Sequence, residues 1–252
     1  MTALRTSLRG LSWLAFFAII LLAWWVMFDM ARMSGVDLWG RPVGMNMMPM
    51  ESFGTLFAMW AIMMAAMMLP TLVPTLGTYD ALIRSADGTR AGWIGVLLGY
   101  FLVWVAVAAL LAVVQVAFLN TGIVNGLGAF TSLWLSGLLL LAVGLFQFSR
   151  LKAVCHGVCH SPMSYFLGRW RTGFAGGLRM GAGMGAFCAG CCWGLMALGF
   201  VGGTMSLVWM GLATLFMVVE KLPELGTHVT KPMGIVLMTA GLGVIAYAAT
   251  GM

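Results

Sequence analysis

Apolar residues in this chain come as long runs with little polar interruption, not as the one-sided stripes of a water-exposed helix. A helix needs about 20 mostly apolar residues to cross the roughly 30 Å of hydrocarbon in a bilayer. By that measure the runs at 11–28, 52–69, 92–119, 132–148, 178–201, 204–219 and 233–249 predict an all-α bundle of about seven transmembrane helices. Only Gly202 and Gly203 separate the fifth run from the sixth, so a count of six follows if those two form one kinked or re-entrant element. The longest polar stretches, 29–51 and 150–171, are too short to bury cores of their own, which leaves one integral membrane domain over 1–252. No internal repeat at a solenoid period and no clear inverted duplication is visible.

Composition sharpens this picture. Of 252 residues, 62% are hydrophobic and 8% charged, where a soluble domain carries roughly 25% charged residues. Such a chain has too little polar surface for a soluble enzyme, a disordered linker or a disulfide-rich secreted module. The net charge of +6 does not point to nucleic acid, because no basic patch is interleaved with stacking aromatics. The charges fall between the apolar runs instead. Arg5 and Arg9 precede the first run, which is long for a signal peptide and lacks a small-x-small cleavage site, so a retained anchor is expected. With the N-terminus inside, the inner segments hold Arg84, Arg90, Arg150, Lys152, Arg169, Arg171, Lys221 and Lys231, and the outer ones only Arg32 and Arg41. This bias predicts a multi-pass, N-in protein of the inner membrane.

Three stretches carry chemistry. In Cys155-His156-Gly157-Val158-Cys159-His160 the i,i+4 spacing places Cys155 with Cys159 and His156 with His160, enough for a tetrahedral thiophilic-metal site. The same residues can equally sit at a headgroup interface without a metal. The second stretch holds Cys188, Cys191 and Cys192, three of the five cysteines, with Met180 and Met184 on the same side of the helix. Gly177, Gly181, Gly185 and Ala189 form an overlapping face that invites close approach of a neighbour. Thiols suit Cu(I), zinc or an iron–sulfur cluster; Cys188 and Cys191 also have redox-pair spacing, and buried cysteine can be plain packing.

Methionine is the third signal, with 23 in the chain. Met45, Met47, Met48 and Met50 fall in the expected outer loop, and Met59, Met63 and Met67 follow at i,i+4 down the second run, with Met64 and Met68 alongside. Thioethers pass soft cations without burying a charge, although they also fill cores. Glu220 and Lys221 close the sixth run, as an interface anchor or as a carboxylate near a cation path. Arg179 reads as an interfacial anchor.

The chain resembles a family of bacterial integral membrane proteins of unknown function predicted to bind metal. The resemblance rests on Trp60-x-x-Met63-x-x-Ala66-Met67-Met68-x-Pro70, on Leu151-Lys152-x-x-Cys155-x-x-x-Cys159-x-x-Pro162, and on Cys188-x-Gly190-Cys191-Cys192-Trp193-x-Leu195-Met196 followed by Glu220-Lys221. It implies a multi-helix inner-membrane protein suspected of binding metal, and gives neither the metal nor a reaction. That family often has His-Gly where this chain has Met184-Gly185. If this position is a ligand, the change to Met softens the site from zinc toward Cu(I).

The reading that follows is soft-metal handling or transport, with Cu(I) as the expected metal. The outer Met loop would capture it. Met63, Met67, Met184, Cys188, Cys191 and Cys192 would hold it in the bundle, and Cys155, His156, Cys159 and His160 would pass it at the inner mouth. A start of the fifth helix near Leu178 puts Cys188 about 15 Å along it, so two separate cysteine sites are expected. Partners would be the bilayer and a metal chaperone or another membrane subunit. Two alternatives stand: a membrane thiol–disulfide oxidoreductase, and a non-catalytic subunit of a larger complex.

Overall fold

The computed structural model describes residues 2–45, 51–222 and 224–250; the expected capture residues Met47, Met48 and Met50 lie outside them. The described residues form helices and loops, without a β-ladder beyond two isolated bridges. In chain order the helices are α1 (Thr2–Met33), α2 (Phe53–Thr71), α3 (Val73–Ser85), α4 (Arg90–Asn120), α5 (Leu133–Phe146), α6 (Arg150–His160), α7 (Pro162–Arg169), α8 (Gly173–Ala197), α9 (Gly199–Gly202), α10 (Leu207–Glu220) and α11 (Gly226–Ala249). Each apolar run falls on a helix. Five have the length and apolar character to cross a membrane, or six if α5 and α6, bent by 62°, count as one broken span. The expected seven is not reached because α10, at 14 residues, covers only about 21 Å.

Helix packing follows the glycines. Cβ atoms at Gly177 and Gly181 of α8 would strike the backbone of Gly92 and Val96, and one at Gly95 of α4 that of Phe174. The contacts climb both helices together, so α4 and α8 run parallel with backbones touching. This is the close approach anticipated from the small-residue repeat. Between α5 and α11 the pairing runs the other way: Gly137 meets Gly241 and Ile245, and Gly144 meets Gly234 and Met238. Trp60 on α2 donates through Nε1 to buried Gln115 on α4 at 2.7 Å.

Two loops at one end of the bundle are built alike. Asp37 Oδ1 accepts from the backbone N–H of Trp39 and Arg41, and Asn125 Oδ1 accepts from those of Leu127 and Ala129. Each turn has a glycine three residues on, Gly40 (φ +79°) and Gly128 (φ +72°), in the left-handed region that other residues avoid. Both turns dock on the α9–α10 link, where Val208 N–H donates to Leu38 and Thr204 N–H to Leu127. Following two parallel-running long helices, α1 and α4, they show a structural repetition that the sequence hides, because only the short Val-Asp/Asn-x-x-Gly is shared.

The opposite end gathers arginines. Asp80 on α3 is buried and pairs with Arg9 of α1 and Arg90 of α4, each at 2.5 Å. Nearby, Tyr165 of α7 donates to the Met180 carbonyl at 2.9 Å. Burial pushes the Tyr165 phenol above its usual range and the Arg169 charge partly offsets this, so the phenol keeps its proton.

Candidate metal centre

The site forms where α6 lies antiparallel against the middle of α8. After the 62° bend that follows α5, α6 does not leave the bundle as an inner-mouth segment but continues along its interior. Its face Lys152, Cys155, Cys159, spaced i, i+3, i+7, is buried, as is the Cys188, Cys191, Cys192 face of α8. Gly190 makes the approach possible, because a Cβ there would stand 2.9 Å from Cys155 Sγ.

The Sγ atoms of Cys159, Cys188 and Cys191 all lie within 4.8 Å of one another. A metal bonded to three thiolates at about 2.3 Å would hold its sulfurs about 4.0 Å apart, so the trio fits a soft cation. Cys192 Sγ stands 3.3 Å from Cys191 Sγ, beside the trio. The expectation of two separate cysteine sites is therefore overturned. Cys188 lies where the helix rise puts it, and α6 meets α8 at that depth and not at the inner mouth.

Two buried lysines frame this cluster. Lys221 Nζ donates to Cys188 Sγ at 2.8 Å and to Thr71 Oγ1 at 2.9 Å, and lies 3.5 Å from the Tyr100 hydroxyl, which is itself 3.0 Å from Cys188 Sγ. Lys152 Nζ donates to Glu220 Oε1 and Oε2 at 2.8 and 2.9 Å and to the Cys191 carbonyl at 3.0 Å. Thr230 Oγ1 adds a donor to Glu220 Oε1 at 2.9 Å. Each ammonium thus has three placed acceptors, the condition for burying a charge at tolerable cost. Lys152 and Lys221 accordingly leave the count of loop charges: both are interior residues.

The histidines do not join the thiols. His156 and His160 both direct Nε2 at the Glu220 backbone carbonyl, at 2.8 and 2.6 Å. A carbonyl only accepts, so both rings carry the proton on Nε2 and those nitrogens are occupied. The Cys155–His156–Cys159–His160 tetrahedron is not assembled. What forms is a cap on the last turn of α10, whose terminal carbonyls need donors.

Methionines divide between two places. Met63 and Met67 of α2, Met196 of α8 and Met210 of α10 line a cavity of about 10 Å³, with Trp209, Gly199 and Thr204. Its free volume is about that needed for one water-sized occupant. Met180 and Met184 are buried on α8 before Cys188 and do not line this cavity. Met45 is exposed at the loop end.

Sequence reasoning missed Thr71, Tyr100 and Lys152 as site residues. Lys152 carried a signal, since it shares the helical face of Cys155 and Cys159. Tyr100 and Thr71 carried none, because both come from other helices.

No curated protein and no solved structure matches the chain. A family model described as "PpoB2: Copper chaperone" matches residues 57–244, which include every cysteine, both buried lysines and the methionine cavity. That match spans more than half of the sequence, and the chain belongs to this copper chaperone family.

Proposed function

We propose that this protein is a membrane-embedded Cu(I) chaperone that takes the ion through the methionine cavity and holds it on Cys159, Cys188 and Cys191 before handing it on. The observation that carries the reading is the convergence of three thiols from two helices in a chain of a copper chaperone family. Copper is cargo here. Thiols and thioethers both prefer Cu(I) over the oxygen-seeking cations.

The order of the two sites follows from the helices. Along α2, Met63 and Met67 precede Thr71, which touches Lys221; along α8, Met196 lies about 8 Å beyond Cys191, toward the loop end. An ion entering from that end reaches thioethers first and thiolates second. Met47, Met48 and Met50 would extend the path outward. The loop end is the outer face and the arginine end the inner one. This assignment is supported by Arg9, Arg90, Arg169 and Arg171 gathering at the latter. In this reading the chain is a multi-pass protein of the bacterial inner membrane with five or six crossings, and its recipient is a metal chaperone or another membrane subunit.

Lys221 supports the site. Three thiolates holding one Cu(I) keep a net negative charge, and an ammonium donating to Cys188 offsets part of it in a low-dielectric setting.

The test is the metal content of detergent-purified, anaerobically handled protein by mass spectrometry, after reconstitution with Cu(I). About one copper per chain is expected, lost in Cys159→Ser and in Cys188→Ser alike and kept in Cys155→Ser. Retention of copper in Cys159→Ser would separate α6 from the site and defeat the reading. Recovery of the chain from cells without detergent would defeat the membrane placement.

A further inference from the structure

Three arginines at the inner end pair with no carboxylate among the described residues. The ion pairs among the described residues use Arg9, Arg90 and Lys152; Arg169, Arg171 and Arg179 are in none. Two adjoining clefts open there, of about 520 and 540 Å³, and both are lined by Trp170, Arg171 and Arg179; Arg169 joins the first. Pockets of that size hold small ligands or headgroups.

The clefts are built rather than incidental. Arg169 lies over the rings of Tyr165 and Phe187 at 5.0 and 5.7 Å, which fixes its guanidinium. The Trp170–Thr172 link folds over the first turn of α8, where the Arg171 backbone meets Gly176 so closely that a Cβ there would stand 2.7 Å from it. Thr172 leads into α8 without a side-chain cap, so the first N–H groups of a 25-residue helix face the second cleft, which Ala175 and Gly176 line. Guanidinium forks, helix N–H donors and an indole at one depth match an anionic phosphate beside an acyl boundary.

We infer that the Arg169–Arg171–Arg179 cleft binds the phosphate group of an anionic phospholipid from the inner leaflet. The inference rests on the membrane placement proposed above and is independent of copper. Arg171 and Arg179 are the primary contacts; Arg169 closes one wall. A headgroup held there would brace the start of α8.

The test uses the full chain in detergent and native mass spectrometry, titrating dioleoyl phosphatidylglycerol, dioleoyl phosphatidylcholine and inorganic phosphate. Wild type should retain one phosphatidylglycerol and little phosphatidylcholine. Arg171→Gln/Arg179→Gln should weaken phosphatidylglycerol binding about 25-fold, from about 5-fold per arginine. Arg32→Gln/Arg41→Gln at the other end should not change it. If the double variant fails to fold, Arg179→Gln alone carries the test, with the single 5-fold loss expected. Equal retention by wild type and the cleft variants overturns the site. Displacement of the lipid by millimolar inorganic phosphate overturns the lipid assignment in favour of free phosphate. Copper loading of the same samples should be unchanged, so a failure of the lipid inference and a failure of the copper reading appear as separate results.

Discussion

The thiol cluster and the methionine cavity lie one to two helical turns apart along α8 and, in the proposed function, would handle a soft cation by opposite means. Around Cys159, Cys188 and Cys191 the interior is charged: Lys221 sits on Cys188, Lys152 and Glu220 form a fully buried pair, and Tyr100 and Thr71 complete the hydrogen bonds. Around Met63, Met67, Met196 and Met210 there is no ionisable group, only thioethers, Trp209, Thr204 and apolar or small neighbours. A thiolate site needs compensating cations in a low-dielectric setting and therefore needs a network from several helices. A thioether site is neutral and needs only space. The first suits retention, the second passage.

The sharpest way to break this contrast is to unbalance the charged half. Lys152→Met leaves the Glu220 carboxylate buried without its cation and should destabilise the fold by about 3–5 kcal/mol, read as a lowered melting temperature in detergent. Lys152→Met/Glu220→Leu should recover most of that loss, since an apolar pair removes the stranded charge. If the single variant melts like wild type, the charged network is not structural.

Next in size, Cys188→Ser should reduce Cu(I) affinity by about 100-fold in a competition titration with a Cu(I) chelator, because it removes a ligand and not only a neighbour. A similar loss in Cys192→Ser would extend the trio to four thiols. Lys221→Met should act in the same sense, with affinity falling about 10-fold, the scale typical of groups that act through a ligand. Unchanged or tighter binding in that variant would show that the ammonium opposes the ion rather than supporting Cys188.

The smallest effect belongs to the neutral half. Met63→Leu/Met67→Leu preserves volume and should leave copper stoichiometry and affinity unchanged while slowing loading a few-fold, measured by stopped-flow against a chelated Cu(I) donor. Loss of affinity instead would place these thioethers in the retention site.

Which parts were legible in the sequence follows from how local each signal is. The Gly177/Gly181 face and its tight neighbour could be read from spacing alone, because glycine repeats act through the backbone of one helix. The Cys188–Cys192 set could be read for the same reason. The fate of α6 could not: charged and cysteine-bearing, it resembled a loop segment, and only a partner for Lys152 on α10 makes its burial favourable. His156 and His160 looked like ligands because their spacing matched one. Which acceptor they meet depends on where α10 ends, and it ends at their Nε2 atoms.

By itself the sequence determined a helical chain rich in soft donors. Helix formation in long apolar runs and the softness of sulfur are properties of single segments and single atoms. The tertiary structure alone decided that Cys159 joins Cys188 and Cys191, that two lysines and a glutamate are interior, and that the methionines form a cavity of their own. Each of those depends on the depth at which one helix meets another. Depth is set by the sum of close contacts along α4, α8, α6 and α10, which no single segment encodes.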